Sequence, residues 1–285
     1  MRDKLLNWFF GVRVEHVLNS GKSRGGNVRQ ISKEIAESVL ALKNAVIISD
    51  SGVDYAKLLH SKAYIHFRAH VSPRLRELNL DDLGTIEDKL AFWINLYNLL
   101  TIDAVLQFKI KESVTEGRLG INRFFRQAAY LVGGFRFSLD DIEHGILRAN
   151  QGLPFFPGRH FANDDPRRAF TLKDLDARIH FALNCASKSC PPIAYYVSAK
   201  IDEQLDLAAA NFIAGETRFD ESHETLILSR IFKWYASDFG GRIDVLETIK
   251  KYLPNDEPLR KMIETQGISL KITYARYDWR LNASG

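Results

Sequence analysis

Residues 85–108, TIEDKLAFWINLYNLLTIDAVLQF, decide the fold. Thr85 with Asp88 three positions on resembles a capping box in which Asp replaces the usual Glu, so a helix starts here. From Leu90 to Phe108 most positions are apolar, which predicts a helix over Asp88–Phe108 buried on most of its sides. Asn95 and Asn98 are the exceptions within the run. They lie three apart and therefore share one face. A buried amide without a partner costs about 1–3 kcal/mol, so both must bond to something. Either they brace a neighbouring backbone or they line a site, and the sequence leaves both readings open.

Upstream, the apolar residues Ile31, Ile35, Val39, Leu40 and Leu42 recur at helical spacing. Tyr55, Leu58, Leu59, Tyr64, Phe67 and Val71 continue the pattern in a second segment. A Gly/Ser-rich loop over 20–30 precedes them. His66 and His70 are spaced i,i+4 without a carboxylate or cysteine at ligand spacing, so with His60 they read as helix-surface residues rather than metal ligands. The first twenty residues, MRDKLLNWFFGVRVEHVLNS, read as an amphipathic helix that packs on the body of the protein; peripheral membrane contact is the minor alternative. Residues 1–82 are thus expected to form a helical extension.

Downstream the pattern changes. Alternating stretches near 130, 180, 227 and 272 predict strands, with a hairpin at Gly133-Gly134 and a helix start at Ser138, which has Asp141 three positions on. In the last of these stretches Leu270, Ile272 and Tyr274 face one way. The whole region 83–282 is expected to be one α+β domain, an antiparallel sheet packed on the long buried helix.

Composition excludes several classes. The chain has 285 residues, 46% apolar and 26% charged, with a net charge of +4 and both signs mixed along its length. Basic runs at Arg118–Arg126 and Arg159–Arg168 read as solvated rims, so no nucleic-acid binding is expected. No apolar stretch approaches the ~20 residues of a bilayer span. No dinucleotide or phosphate-loop glycine pattern is present, and no cofactor is expected. Without a recognisable signal segment, the expected compartment is the cytoplasm.

Both cysteines lie in IHFALNCASKSCPPI, residues 179–193. If Arg178 to Asn184 is extended, His180 and Asn184 share its more polar face. After Asn184 come small and polar residues ending in Pro191-Pro192, a loop by composition. Three readings compete for Cys185 and Cys190: a reactive thiol, a disulfide or metal staple, or small apolar packing. A thiol becomes nucleophilic beside an imidazolium, a cation or oriented amides, and His180, Lys188 and the loop amides lie close in sequence. Cys190, held before two prolines, is the candidate nucleophile. Cys185 shares the inward parity of Leu183 and reads as packed core. His180 or His144 would serve as base. Asp238 can accept a hydrogen bond from a histidine or cap a turn, and Asp278 can orient an imidazole or pair with Arg276 or Arg280.

Six blocks in order carry a resemblance: AFWINLYN (91–98), EHGILR (143–148), DPR (165–167), IHFALNCASKSCPP (179–192), SRIFKWYASDF (229–239) and YDWRLN (277–282). Together, over about Leu83 to Asn282, they resemble the family of domain of unknown function 547. The resemblance implies a mixed α and β domain, with papain-like and transglutaminase-like folds as its relatives. Enzymes of those folds place their cysteine at the start of the central helix, where this chain has none. The resemblance implies candidate site residues on the matching blocks: Cys190, Cys185, His180 and His144 for catalysis, with Asn95, Asn98, Asn184, Glu143 and Asp278 around a substrate. The function expected is a cysteine-dependent hydrolase or acyl transferase acting on an amide, ester or thioester. The alternative is a non-catalytic module that holds a peptide, lipid headgroup or partner protein.

Overall fold

The computed structural model describes residues 2–21, 25–46, 52–116, 120–154, 156–255 and 257–284. Arg118 of the first basic run and residues 22–24 of the glycine-rich loop lie outside them. Ten α-helices and five strands are described: α1 (Arg2–Phe9), α2 (Val28–Val46), α3 (Tyr55–Leu59), α4 (Lys62–His66), α5 (Ile86–Gln107), α6 (Gly120–Gln127), β1 (Ala129–Val132), β2 (Phe135–Ser138), α7 (Ile201–Glu216), β3 (Arg218–Asp220), β4 (Thr225–Leu228), α8 (Ile231–Trp234), α9 (Arg242–Tyr252), α10 (Pro258–Gln266) and β5 (Lys271–Tyr274). The mixed α and β character expected from the sequence holds, with helix predominating and small sheets.

Helix α5 is the axis of the larger core. Thr85 Oγ1 accepts from the Asp88 amide and Asp88 returns a bond to the Thr85 amide, closing the capping box. Residues Leu90 to Val105 are all buried. Apolar enough and long enough to cross a membrane, α5 is instead wrapped by the protein itself. Helix α2 lies along it and inserts Ile31, Ile35, Val39 and Leu42. Asp103 adds a polar tie that the apolar pattern does not reveal. It accepts from Tyr64 (2.6 Å), Tyr130 (2.8 Å) and Arg68 (2.8 Å), fixing the N-terminal helices and β1 to α5. Helix α1 departs from expectation. Leu5, Trp8 and Phe9 point outward, whereas Phe10 is the buried member of the run.

The sheets are smaller than expected and only partly antiparallel. β1 and β2 form a hairpin about Gly133-Gly134, both at positive φ (55° and 81°). A Cβ at Gly133 would lie 2.8 Å from the Leu78 carbonyl, so glycine is required there. This hairpin is the sheet that touches α5: Phe137 packs on Trp93 with ring centroids 4.9 Å apart. β3, β4 and β5 form a second sheet in which β3–β4 is antiparallel but β4–β5 is parallel. Parallel neighbours need a long crossover, and α8, α9 and α10 supply it. Leu226 and Leu228 of β4, with Leu270 just before β5, enter a second core with α7, α9 and α10.

The segment 177–193 runs along the seam between the two cores. Ile179 is buried in the first and Phe181 in the second. It is not a strand. The Asp176 carboxylate accepts from the Arg178 amide at 2.9 Å, and the chain turns into a 3-10 helix over Ala177–Phe181. That local turn overrides the alternation of Ile179, Phe181 and Leu183.

Candidate functional site

The seam opens into a cleft of about 300 Å³ whose floor is polar and whose walls are aromatic. Three segments build the floor: the π-helical turn Asp141–Leu147, the 3-10 helix carrying His180, and the turn after α8 carrying Tyr235 and Asp238.

The π-helical turn begins where Ser138 and Asp141 exchange bonds. Asp141 Oδ2 accepts from the Ser138 amide at 2.8 Å, and Ser138 Oγ accepts from the Asp141 amide at 3.1 Å. The widened turn brings the Arg148 amide to the Glu143 carbonyl at 2.8 Å. Such turns recur at functional sites because they re-aim side chains. Gly145 is fixed by packing: a Cβ there would stand 2.3 Å from the Phe161 ring. Asp141 faces away from the cleft, bonded to His160 (2.9 Å) and paired with Arg167 (3.1 Å). Two members of the second basic run are thereby engaged. Arg167 is no solvated rim residue, since it pairs with both Asp141 and Asp165.

One carboxylate organises the histidines. Asp238 Oδ2 accepts from His180 Nε2 at 2.8 Å, and Arg148 grips both Asp238 oxygens through Nε (2.6 Å) and a terminal nitrogen (2.8 Å). Burial alone would push this carboxyl up, but the hydrogen bonds from His180 and Arg148 outweigh it and hold it at about 2. With Nε2 donating to Asp238, the neutral form of His180 carries its lone pair on Nδ1. Its ring stacks on Tyr235, centroids 3.8 Å apart.

His144 is a different kind of imidazole. Its Nδ1 lies 2.9 Å from an Arg148 nitrogen, and arginine can only donate, so Nδ1 accepts and the proton sits on Nε2. Burial, with the Arg148 charge next, drives its basicity well below the usual histidine range. Nε2 points toward Asp140, 3.9 Å away. Asp140 is buried, and burial raises its carboxyl to about 7 despite Arg126 at 3.4 Å. Its Oδ2 has no hydrogen-bond partner.

Glu143 is the second acid lining the cleft, after Asp140. It accepts from Tyr235 (2.6 Å) and Tyr97 (3.1 Å). Burial first, and Glu143 next, drive both phenols well above the usual tyrosine range, so both remain donors.

The sulfurs lie at one wall. Cys185 and Cys190 are joined in a disulfide, with Cα atoms 6.0 Å apart. The expectation of a free Cys190 thiol is therefore corrected for this state, since a disulfide holds no thiolate. Cys185 is corrected too: it is half-buried and lines the cleft, because the segment before it is a 3-10 helix and its strand parity does not exist. The Cys185 amide donates to Cys190 Sγ at 2.7 Å, and the Tyr277 hydroxyl stands 3.2 Å from Cys185 Sγ and 3.5 Å from Cys190 Sγ. Trp234, Tyr277 and Trp279 form the aromatic wall, their centroids 4.4–5.6 Å apart.

Four of the residues expected near a substrate are engaged elsewhere. Asn95 bonds both ways with the Tyr196 backbone (2.6 and 2.9 Å). Asn98 donates to the Ala182 carbonyl (3.1 Å) and accepts from the Asn184 amide (2.9 Å). Asn184 spans its own loop, donating to the Pro191 carbonyl at 2.6 Å and accepting from the Ala186 amide at 2.8 Å. Asp278 is turned to Arg280, whose hydrogen bonds hold its carboxyl at about 2, so it orients no imidazole. All three asparagines take the bracing role. Glu143, His144, His180 and both cysteines do meet in the cleft.

Sequence reasoning missed Tyr97, Asp140, Arg148, Tyr235 and Tyr277 as site residues. One local signal existed: His144 and Arg148 are four apart on one helical face.

Residues 81–213 match the model of a family described as a protein of unknown function, DUF547. That segment belongs to the DUF547 family. Neither a curated protein nor a solved structure matches the chain. The DUF547 segment contributes α5, the π-helical turn, the 3-10 helix and the cysteine loop. Asp238, Tyr235, Trp234, Tyr277 and Trp279 come from beyond it, so this cleft is completed by the chain that follows the DUF547 match.

Proposed function

We propose that the cleft is the active site of a hydrolase or acyl transferase acting on an amide, ester or thioester, closed by a disulfide in the state described and opened by a thiol reductant. The observation that carries this reading is that His180, bound through Nε2 to the buried Asp238 carboxylate, lines the same cleft as Cys190. A carboxylate orients an imidazole in this way where the imidazole serves as a general base, and the proposal has His180 take that role toward Cys190.

The chemistry proceeds in balanced steps. A dithiol reductant transfers two electrons and two protons to the disulfide, giving two thiols and an oxidised reductant. His180 Nδ1 takes the Cys190 proton, and the sulfur attacks the acyl carbon. The leaving amine, alcohol or thiol departs with that proton, and water or a second nucleophile then releases the acyl group from sulfur. Cys190 is preferred over Cys185 because a backbone amide donates to its sulfur, which favours a thiolate. Asp238 and Arg148 act as positioning residues. Distant kinship with papain-like or transglutaminase-like enzymes belongs to the same proposal, with the nucleophile moved from the helix start to the loop. A reducing compartment such as the cytoplasm suits it.

A second reading has its own observation. The disulfide leaves no nucleophilic sulfur, which favours a non-catalytic binding module built on the same cleft. Turnover separates the two. Reduced protein is incubated with p-nitrophenyl esters, a thioester and an anilide of apolar acyl groups. Release that requires reductant and disappears in Cys190→Ser supports the enzyme; no release from any of them supports the module.

A further inference from the structure

Among the described residues, no Lys or Arg side chain lies within ion-pair reach of Glu143, and its surroundings point to a ligand. Nor does any described Lys or Arg line the cleft. The two buried arginines near it are already engaged, Arg148 by Asp238 and Arg126 beside Asp140. His144 is held neutral by the donor it accepts from. Glu143 is left with two phenols and no Lys or Arg partner. A carboxylate this buried is normally compensated by a cation. Asp140, 5% exposed, also lines the cleft, but its Oδ2 is already paired with Arg126 Nε at 3.4 Å, which leaves Glu143 as the acid to be met.

The walls point to the same ligand. Trp234 and Trp279 stack at 24° with centroids 5.6 Å apart, and Tyr277 packs against both. Aromatic faces beside a carboxylate attract a desolvated ammonium. An anion would meet Glu143 and Asp140 with no cation to receive it. A purely apolar ligand would leave Glu143 uncompensated.

We infer that the cleft binds a small organic cation, a primary ammonium carried on an aromatic or alkyl body, with its nitrogen at Glu143 and its body against Trp234 and Trp279. This is a statement about binding and holds in the disulfide form. As a substrate assignment it rests on the acyl-transfer reading, in which such an amine is the acceptor or the amine half of the amide.

Binding to the oxidised protein, where the thiol chemistry is blocked, tests the inference apart from that reading. The probes are 2-phenylethylammonium, 2-phenylethanol and 3-phenylpropionate, followed by calorimetry and by the emission of Trp234 and Trp279. The expected result is an ammonium preference of roughly tenfold over the alcohol and no measurable carboxylate binding. Glu143→Gln should bring the ammonium down to the alcohol's affinity. Trp279→Leu should weaken both while keeping their ratio, which guards against misfolding of the first variant. Equal affinities in the parent, a preference that survives Glu143→Gln, or no binding of the ammonium at millimolar concentration would each overturn the inference.

Discussion

His180 reaches Asp238 across 58 residues of chain, Nε2 to Oδ2 at 2.8 Å, and the same carboxylate oxygen takes Arg148 Nε at 2.6 Å. One buried group thus orients an imidazole and is itself neutralised by a guanidinium. Both partners are almost fully buried, at 2% exposed each, and the Asp238 side chain is wholly covered. The arrangement makes Arg148 the support of the site's electrostatics.

Removing that support should be costly. Arg148→Met strips the cation from a buried carboxylate and the donor from His144 Nδ1. Breaking a buried pair in this way costs about 3–5 kcal/mol. Chemical denaturation should show a loss of that order for Arg148→Met, whereas Arg280→Met, at an exposed pair, should change little. Similar stabilities for the two variants would contradict the role given to Arg148.

Asn98 should behave as a structural brace. It holds the Ala182 carbonyl and the Asn184 amide at the entrance to the cysteine loop. Asn98→Ala leaves both unpaired in the core, at about 1–3 kcal/mol each. The melting temperature should fall by several degrees. Asp278→Asn should leave it nearly unchanged, since that carboxylate is bonded at the surface.

The long apolar helix, its capping box and the hairpin at Gly133-Gly134 were legible because each is written in adjacent residues. The need of Asn95 and Asn98 for partners was legible too, but the partners, Tyr196 and Ala182, lie about 100 and 84 residues away. His180 was misplaced on a strand because Ile179, Phe181 and Leu183 alternate, while the deciding feature was the Asp176 turn just before them. The parallel β4–β5 pairing leaves no local trace, since strand direction follows from the helices between. Asp238 was recognisable as an acceptor for a histidine; which histidine was not. Glu143 stood in a resembling block, yet its tyrosines come from α5 and from beyond the family match.

Asp140 should give stability a pH dependence of defined sign. Burial raises its carboxyl to about 7 in the folded protein, against about 3.9 in an unfolded chain. Between those values the folded state binds more protons, so this contribution is fully present below about pH 4 and is lost as pH rises through about 7. His144 opposes it: its depressed basicity contributes stability above about pH 6.5 that is lost on acidification. Asp140→Asn isolates the first effect. Across urea titrations from pH 4 to 8, the parent should lose stability relative to the variant between about pH 4 and 7. A difference independent of pH would count against a buried, protonatable Asp140.

The disulfide makes a direct prediction for labelling. Denatured, unreduced protein should take up no iodoacetamide by intact mass, and two equivalents after reduction. Two equivalents without reductant would remove the resting form proposed for the site.

Activation of Cys190 by His180 is read directly from thiol reactivity. After reduction, the rate of Cys190 alkylation by iodoacetamide is followed against pH, resolved by peptide mapping, in the parent and in His180→Ala. Cys190 should react with an apparent pKa below the ordinary thiol value of about 8.5, ahead of Cys185, and His180→Ala should return it toward that value. Equal, slow labelling of both cysteines at about 8.5, unchanged by His180→Ala, would contradict that activation.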